Sequence, residues 1–252
     1  MNKTHFIRTS AIVLAALMFV AAVHAAQTAQ AHEGKGRMIV KWTDPSRPGL
    51  VKVNVLSGSL SVRTYSGHDV VVQSPGIGSG LPAGMFVDEQ NNVLTISSRA
   101  SVNVDIQAPA KTNLNLRAAR GANIVVDNVD GDIEVVNDKG NIMLTNVAGS
   151  VIAHAMKGNL SATLRDVAPN KPLSFSSMNG NVTVTLPQAI KATVKIHSDK
   201  GVIDSDFDIT LGSVRGGAIT RTSKTITGAI NGGGIDIELR TLNGNVYLRK
   251  GK

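Results

Sequence analysis

The chain has 252 residues, no cysteine and a formal net charge of +8. Without cysteine there is no disulfide, no Cys-ligated metal and no lipoprotein anchor, which needs a cysteine at its cleavage point. Hydrophobic residues at 42% exclude wholesale disorder, and aromatics at only 3% require a core of Val, Ile, Leu and Ala, which suits thin stacked layers.

In chain order, residues 1–25 read as a secretory signal. Lys3 and Arg8 form a positive start, and an apolar run from Ala11 to Val23 follows. That run is too short to span a bilayer comfortably. Val23-His24-Ala25 places cleavage after Ala25; Ala29-Gln30-Ala31 is a second possible site. Residues 26–48 are a polar lead-in, with a strand expected near Met38 to Trp42 and a turn over Asp44 to Pro48. A β-strand-repeat domain is expected over 49–252. The expected location is outside the cytoplasm, in the periplasm or the medium, with no membrane span after cleavage.

Alternation starts at Val51, Val53 and Val55. Residues 58–62 are the first repeat unit, and 67–72 read as a copy with one extra residue. Residues 75–92 break the pattern with clustered Gly and Pro, the mark of a surface loop, and such a loop is a place for function. Strands are expected at 93–96, 102–106 and 114–116. Then glycines fall at 121, 131, 140, 149 and 158, nine or ten residues apart. Further units start at Gly180 and Gly244, and 201–207 is a degraded copy.

The clean unit is Gly, then Asn, Asp or Ser, then two apolar residues two apart, as in Ile142 and Leu144 or Leu160 and Ala162. Apolar positions every second residue are a strand, not a helix. Gly followed by a small polar residue starts a strand at once from a tight turn. A short strand cannot bury its apolar face alone, and stacking solves that. The expected fold is all-β: a parallel β-solenoid, or β-helix-like stack of short Gly-punctuated strands, with about two units per coil. The alternative is an elongated antiparallel β-sandwich, since the spacing also suits hairpins.

Several motifs resemble one bacterial family: Val-Asp-Glu-Gln-Asn-Asn-Val (87–93), Thr-Asn-Leu-Asn-Leu (112–116), Gly-Asp-Ile-Glu-Val (131–135), Phe-Ser-Ser-Met-Asn-Gly-Asn-Val (175–182), Ser-Asp-Lys-Gly (198–201), Asn-Gly-Gly-Gly (231–234) and Leu-Asn-Gly-Asn-Val-Tyr (242–247). The chain is similar in these to the β-strand-repeat proteins described as putative adhesins, a domain-of-unknown-function family. The resemblance implies a secreted or envelope-located solenoid-like domain. It brings no catalytic or binding residues with it.

Carboxylates lie two apart at Asp236 and Glu238, and at Asp130, Asp132 and Glu134. A glycosidase needs two carboxyls about 5 to 9.5 Å apart, one with a raised pKa. Any i, i+2 pair on a strand meets the distance, but an outward, solvated face supplies nothing to raise the pKa. Residues 231–236 are similar to a calcium-binding β-roll repeat but are not tandem, and a wide turn is the simpler reading. His32, His68, His154 and His197 are not spaced for joint ligation, and no Gly-x-Ser-x-Gly elbow occurs. No cofactor and no metal is implied. Nucleic acid is not an expected partner, because Trp42, Tyr65 and Tyr247 are not interleaved with the basic residues.

Without Lys3 and Arg8, the 26 basic residues become 24 against 18 acidic, a net +6. The segment 213–252 carries +5 of it: Arg215, Arg221, Lys224, Arg240, Arg249, Lys250 and Lys252 against Asp236 and Glu238. Two readings stand. Arg215, Arg221, Lys224, Arg240, Arg249 and Lys250 form a surface for an anionic envelope or glycan, or they are a charged cap that keeps the last coil soluble. The expected function is non-enzymatic binding or scaffolding at the envelope. The alternatives are a polysaccharide-acting enzyme on a β-helix scaffold and a partner-binding component of an envelope sensing system.

Overall fold

A computed structural model describes residues 36–75, 81–169, 171–211 and 224–251. The expected signal peptide, Arg215, Arg221 and part of the 75–92 segment lie outside the described residues. In chain order the strands are β1 (Arg37–Val40), β2 (Leu50–Tyr65), β3 (Val70–Gln73), β4 (Met85–Gln90), β5 (Val93–Pro109), β6 (Asn113–Ala118), β7 (Asn123–Asp127), β8 (Ile133–Lys139), β9 (Ile142–Ala148) and β10 (Val151–Lys157). They continue with β11 (Leu160–Asp166), β12 (Leu173–Asn179), β13 (Val182–Leu186), β14 (Ala192–Ser198), β15 (Ile203–Ser205), β16 (Thr210–Leu211), β17 (Thr225–Ile230), β18 (Ile235–Asn243) and β19 (Val246–Lys250). No helix occurs among the described residues.

The strands make a flattened solenoid with two walls. The first wall runs β4-β5-β2-β6-β8-β10-β12-β18-β14-β17-β16, and the second runs β1-β3-β5-β2-β7-β9-β11-β13-β19-β15. The long strands β2 and β5 belong to both walls. Pairing is parallel through the body, as in Ile133↔Val151↔Leu173, and antiparallel only where β1, β3 and β4 close one end and β16 and β17 the other. The parallel solenoid therefore holds and the antiparallel sandwich does not. Two expectations are corrected. Residues 67–72 are not a repeat copy, because β3 runs antiparallel to β1 and β5, with Val70, Val71 and Val72 all buried. Residues 75–92 are not all loop, because β4 forms a hairpin with β5.

The coils do not stack in chain order. β5, the second long coil strand in sequence after β2, lies outside β2 and separates it from the end strands. The last coil, β18 and β19, is inserted between β12–β13 and β14–β15. Leu173 and Ile237 pair in register although they stand 64 positions apart in sequence.

The corner between the walls explains the repeat unit. A Cβ on Gly158 would lie 2.1 Å from the carbonyl oxygen of Gly140, and one on Gly180 would lie 2.0 Å from that of Gly158. Only glycine permits coils to approach this closely. Three of these corner carbonyls are capped by a buried side chain of the next coil: Ser177 Oγ donates to Gly158 O (3.0 Å), Thr241 Oγ1 to Gly180 O (2.8 Å) and Ser198 Oγ to Gly244 O (2.8 Å). The asparagine after the glycine does not fold back on its own turn. Its Oδ1 accepts the backbone N–H one coil on, from Asn123 to Asn141, Asn159, Asn181 and Asn245, each at 2.9 Å. This ladder satisfies corner amides that strand pairing cannot reach.

One continuous core of Val, Ile, Leu and Ala fills the space between the walls. Phe175 is fully buried there, with Ala153 and Leu239 as its strand neighbours. At the N-terminal end, Trp42 lies against Gly49, where a Cβ would come within 2.4 Å of the indole. Asn92 holds the 41–48 turn by accepting from Asp44 N (2.7 Å) and donating to Asp44 O (2.6 Å).

Candidate functional site

Strand alternation sends every second side chain outward, and parallel stacking aligns these into rows across coils. On the first wall, one row reads His154, Ser176, Arg240, His197, Thr225. The row beside it reads Ile152, Ser174, Glu238, Lys195, Thr227. The inserted coil creates this face, since it brings Arg240 between Ser176 and His197. His154 Nδ1 bonds Ser176 Oγ at 2.8 Å; His197 bonds Thr225 Oγ1 and Asp199 Oδ1, both at 2.7 Å.

The basic residues of the C-terminal segment are divided by this arrangement. Arg240 is exposed on the first wall and has no ion-pair partner among the described residues. Lys224 is exposed just before β17, one strand beyond His197, where its carbonyl accepts from Ser198 N at 2.9 Å. Arg249 is on the second wall and is engaged: it donates to Asp204 and Asp206, both at 2.9 Å, and stacks over Tyr247. The hydrogen bond to Asp204 is the main cause holding its pKa above the usual arginine value. Asp206 is held below the usual aspartate value, first by the backbone N–H of Lys250 and then by Arg249. The Lys250 ammonium lies 5.4 Å from the Phe207 ring centre. Because β18 and β19 are internal coils, Arg240, Arg249 and Lys250 do not cap an end.

The carboxylates face cations on neighbouring coils. Glu238 lies 3.8 Å from Lys195, Asp132 2.7 Å from Lys171, and Glu134 3.5 Å from Arg117. Residues 231–236 are a turn into β18: Gly233 N donates to Ile230 O (3.1 Å) and Asn231 Nδ2 to Ile190 O (2.8 Å). Among the described residues, no three of His, Asp and Glu gather as metal ligands.

Two neighbouring hollows flank the start of β18. One, of about 360 Å³, opens on the first wall and is lined by Ser174, Thr193, Lys195, Thr227, Asp236 and Glu238. The other, of about 560 Å³, lies at the corner among Val167, Pro187, Ile190 and Ile235, with Asp166 and Lys191 also lining it. Both lie within the size range of ligand sites.

A family model described as Toastrack DUF4097 matches residues 50–249, nearly the whole solenoid. The chain belongs to the Toastrack family. Among proteins with curated descriptions, none matches it. Similar solved structures include a putative cell adhesion protein from Clostridium sporogenes, at 14% identity and a TM-score of 0.42, covering 86% of this chain and 100% of that one. A putative adhesin from Bacteroides fragilis is 12% identical with a TM-score of 0.38, covering 85% of this chain and 95% of that one. One from Parabacteroides merdae is 9% identical with a TM-score of 0.31, covering 89% and 98%.

The polar row of this Toastrack chain was hidden from sequence reading because its members are scattered over residues 154–240. The available signal was positional: His154, Ser176 and Arg240 each stand three residues after the inward Val151, Leu173 and Ile237 that open the same register, with Ile152, Ser174 and Glu238 one outward step before them.

Proposed function

We propose that this Toastrack chain is a non-enzymatic binding protein of the cell envelope, and that it holds an acidic glycan along the outer face of the first wall. The observation that carries this reading is Arg240. It is exposed, without an ion-pair partner among the described residues, and stands one outward step from Glu238 at the edge of a largely apolar hollow that also carries Ser174, Thr193, Lys195 and Asp236. An acidic sugar has both kinds of group this surface can meet. Its anion suits Arg240, with Lys224 nearby, and its hydroxyls can donate to Asp236 and Glu238 and accept from Ser174 and Thr193. Regular strand spacing repeats such weak contacts along a polymer, which gives avidity without a deep pocket. The secretory signal read over residues 1–25 supports an envelope setting.

The test is co-sedimentation of residues 26–252 with isolated envelopes and with a purified acidic polysaccharide, at low and physiological salt. Exposed charge contacts are screened over about 8 Å at physiological ionic strength, so binding should weaken with salt. Arg240→Gln should weaken it further while leaving the fold intact. Binding that ignores both salt and Arg240→Gln would overturn the reading. Binding to anionic lipid vesicles but to no polysaccharide would replace the glycan with a headgroup surface.

A further inference from the structure

Two methionines on the first wall stand out. Outward positions of this wall are mostly polar, yet Met156 and Met178 are 41% and 40% exposed. They are neighbours: Ala155 pairs with Ser177 and Lys157 with Asn179, so Met156 on β10 lies directly beside Met178 on β12. Adjacent strands are about 4.8 Å apart, which brings the two thioethers within joint reach of one atom. His154 precedes Met156 by two residues on the same outward face, about 6.6 Å along the strand at 3.3 Å per residue. Its Nδ1 is bonded to Ser176 Oγ at 2.8 Å, and its Nε2 has no partner among the described residues. On the other side of Met156, the register Asn137↔Ala155 and Lys139↔Lys157 places Asp138.

Two thioethers and one imidazole, the latter oriented through its other nitrogen, are a soft donor set. Thioether sulfur selects Cu(I) over the harder Mg²⁺ and Ca²⁺. A hydrogen bond that fixes the non-ligating nitrogen of a histidine is the usual outer support of a metal ligand. The register sets Asp138, an anionic residue, one strand from Met156. We propose that Met156, Met178 and His154 form a binding site for a soft monovalent metal ion, Cu(I), with Ser176 as the positioning residue for His154. Ser176 stands beside Arg240 in the same row, but Met156, Met178 and His154 are not among the residues assigned to the glycan, so either proposal can fail without the other.

The chain supplies its own control. Met143 is 50% exposed but stands on the second wall, and Met38 and Met85 pack against the core. Methyl-labelled methionine in residues 26–252 is titrated with Ag(I), a redox-inert stand-in for Cu(I), and followed by NMR. The methyl signals of Met156 and Met178 should shift together and saturate at one equivalent, with Met143 unmoved. Zn²⁺ should produce no such shift. Met156→Leu with Met178→Leu conserves volume and should abolish the saturable response, and Ser176→Ala should weaken Ag(I) binding by about tenfold. Equal response of Met143, or no saturable shift of Met156 and Met178, overturns the proposal.

Discussion

Asn181 Oδ1 accepts the backbone N–H of Asn245 at 2.9 Å, across 64 residues of sequence. The bond from Asn159 to Asn141, 18 residues apart, has the same length. The corner ladder therefore treats the inserted coil like any other. Asn181→Ala removes the acceptor and leaves a part-buried amide without a partner, at a cost of about 1–2 kcal/mol. Asn181→Asp keeps an acceptor oxygen and should recover most of it. Chemical denaturation of the three proteins measures both effects.

Glycines of this fold should differ sharply in what they tolerate. Gly158 has φ +142° and its Cβ would collide with Gly140 O, so Gly158→Ala should cost about 3 kcal/mol or more. Gly121 has φ +79° but nothing within 4 Å of a Cβ. Gly121→Ala should cost only the conformational penalty, about 1–2 kcal/mol. Equal losses in thermal melts would refute the collision as the deciding factor.

Phe175 is the largest fully buried side chain, set beside Ala153 in a core otherwise short of aromatics. Phe175→Ala leaves a cavity that the paired strands on both sides cannot close, and should destabilise by about 3–5 kcal/mol. Phe175→Leu should lose clearly less. Denaturant midpoints with an unchanged slope would report this cleanly.

Asn137 is fully buried, and its Oδ1 has no hydrogen-bond partner, while its Nδ2 donates to Ala122 O at 2.8 Å. Thr241 makes the equivalent corner bond with a hydroxyl. Asn137→Thr keeps the donor and removes the stranded oxygen, so stability should be unchanged or up to about 1 kcal/mol higher. A loss above that amount in a denaturation series would show that the amide has a partner of its own.

The Asp206 carboxyl is held below its usual value by Lys250 N–H and Arg249. A group with a depressed folded pKa adds stability above its unfolded value, near pH 4, and that contribution is lost as the pH falls through the folded value. Stability should therefore drop in acid, and Asp206→Asn should flatten that part of the profile while leaving the alkaline side alone. Melting temperatures between pH 2 and 7 test the sign.

The glycine spacing in the sequence specified where each residue sits within a coil: Gly140, Gly158, Gly180 and Gly244 all occupy one corner. It could not specify which coil lies next to which, because residues 50–65 and 93–109 carry the same alternation and pair with each other. Val70 to Val72 looked like another repeat because local alternation does not show whether a strand runs with or against its neighbour. The charges misled for a related reason. Arg249 appears unopposed along the C-terminal segment, yet Asp204 and Asp206 meet it from a coil more than forty residues earlier. The row around Arg240 exists only once residues 235–250 are in place between their neighbours.

That placement has a consequence for the order of assembly. Residues 192–205 form their parallel pairs only with β18 and β19, which leave the ribosome later than they do. Before residues 235–250 arrive, β14 has only the antiparallel β17 beside it, and no earlier strand pairs with it. A chain lacking residues 235–250 would carry a finished front and an unfinished back, so the final strands complete the middle of the stack rather than its end.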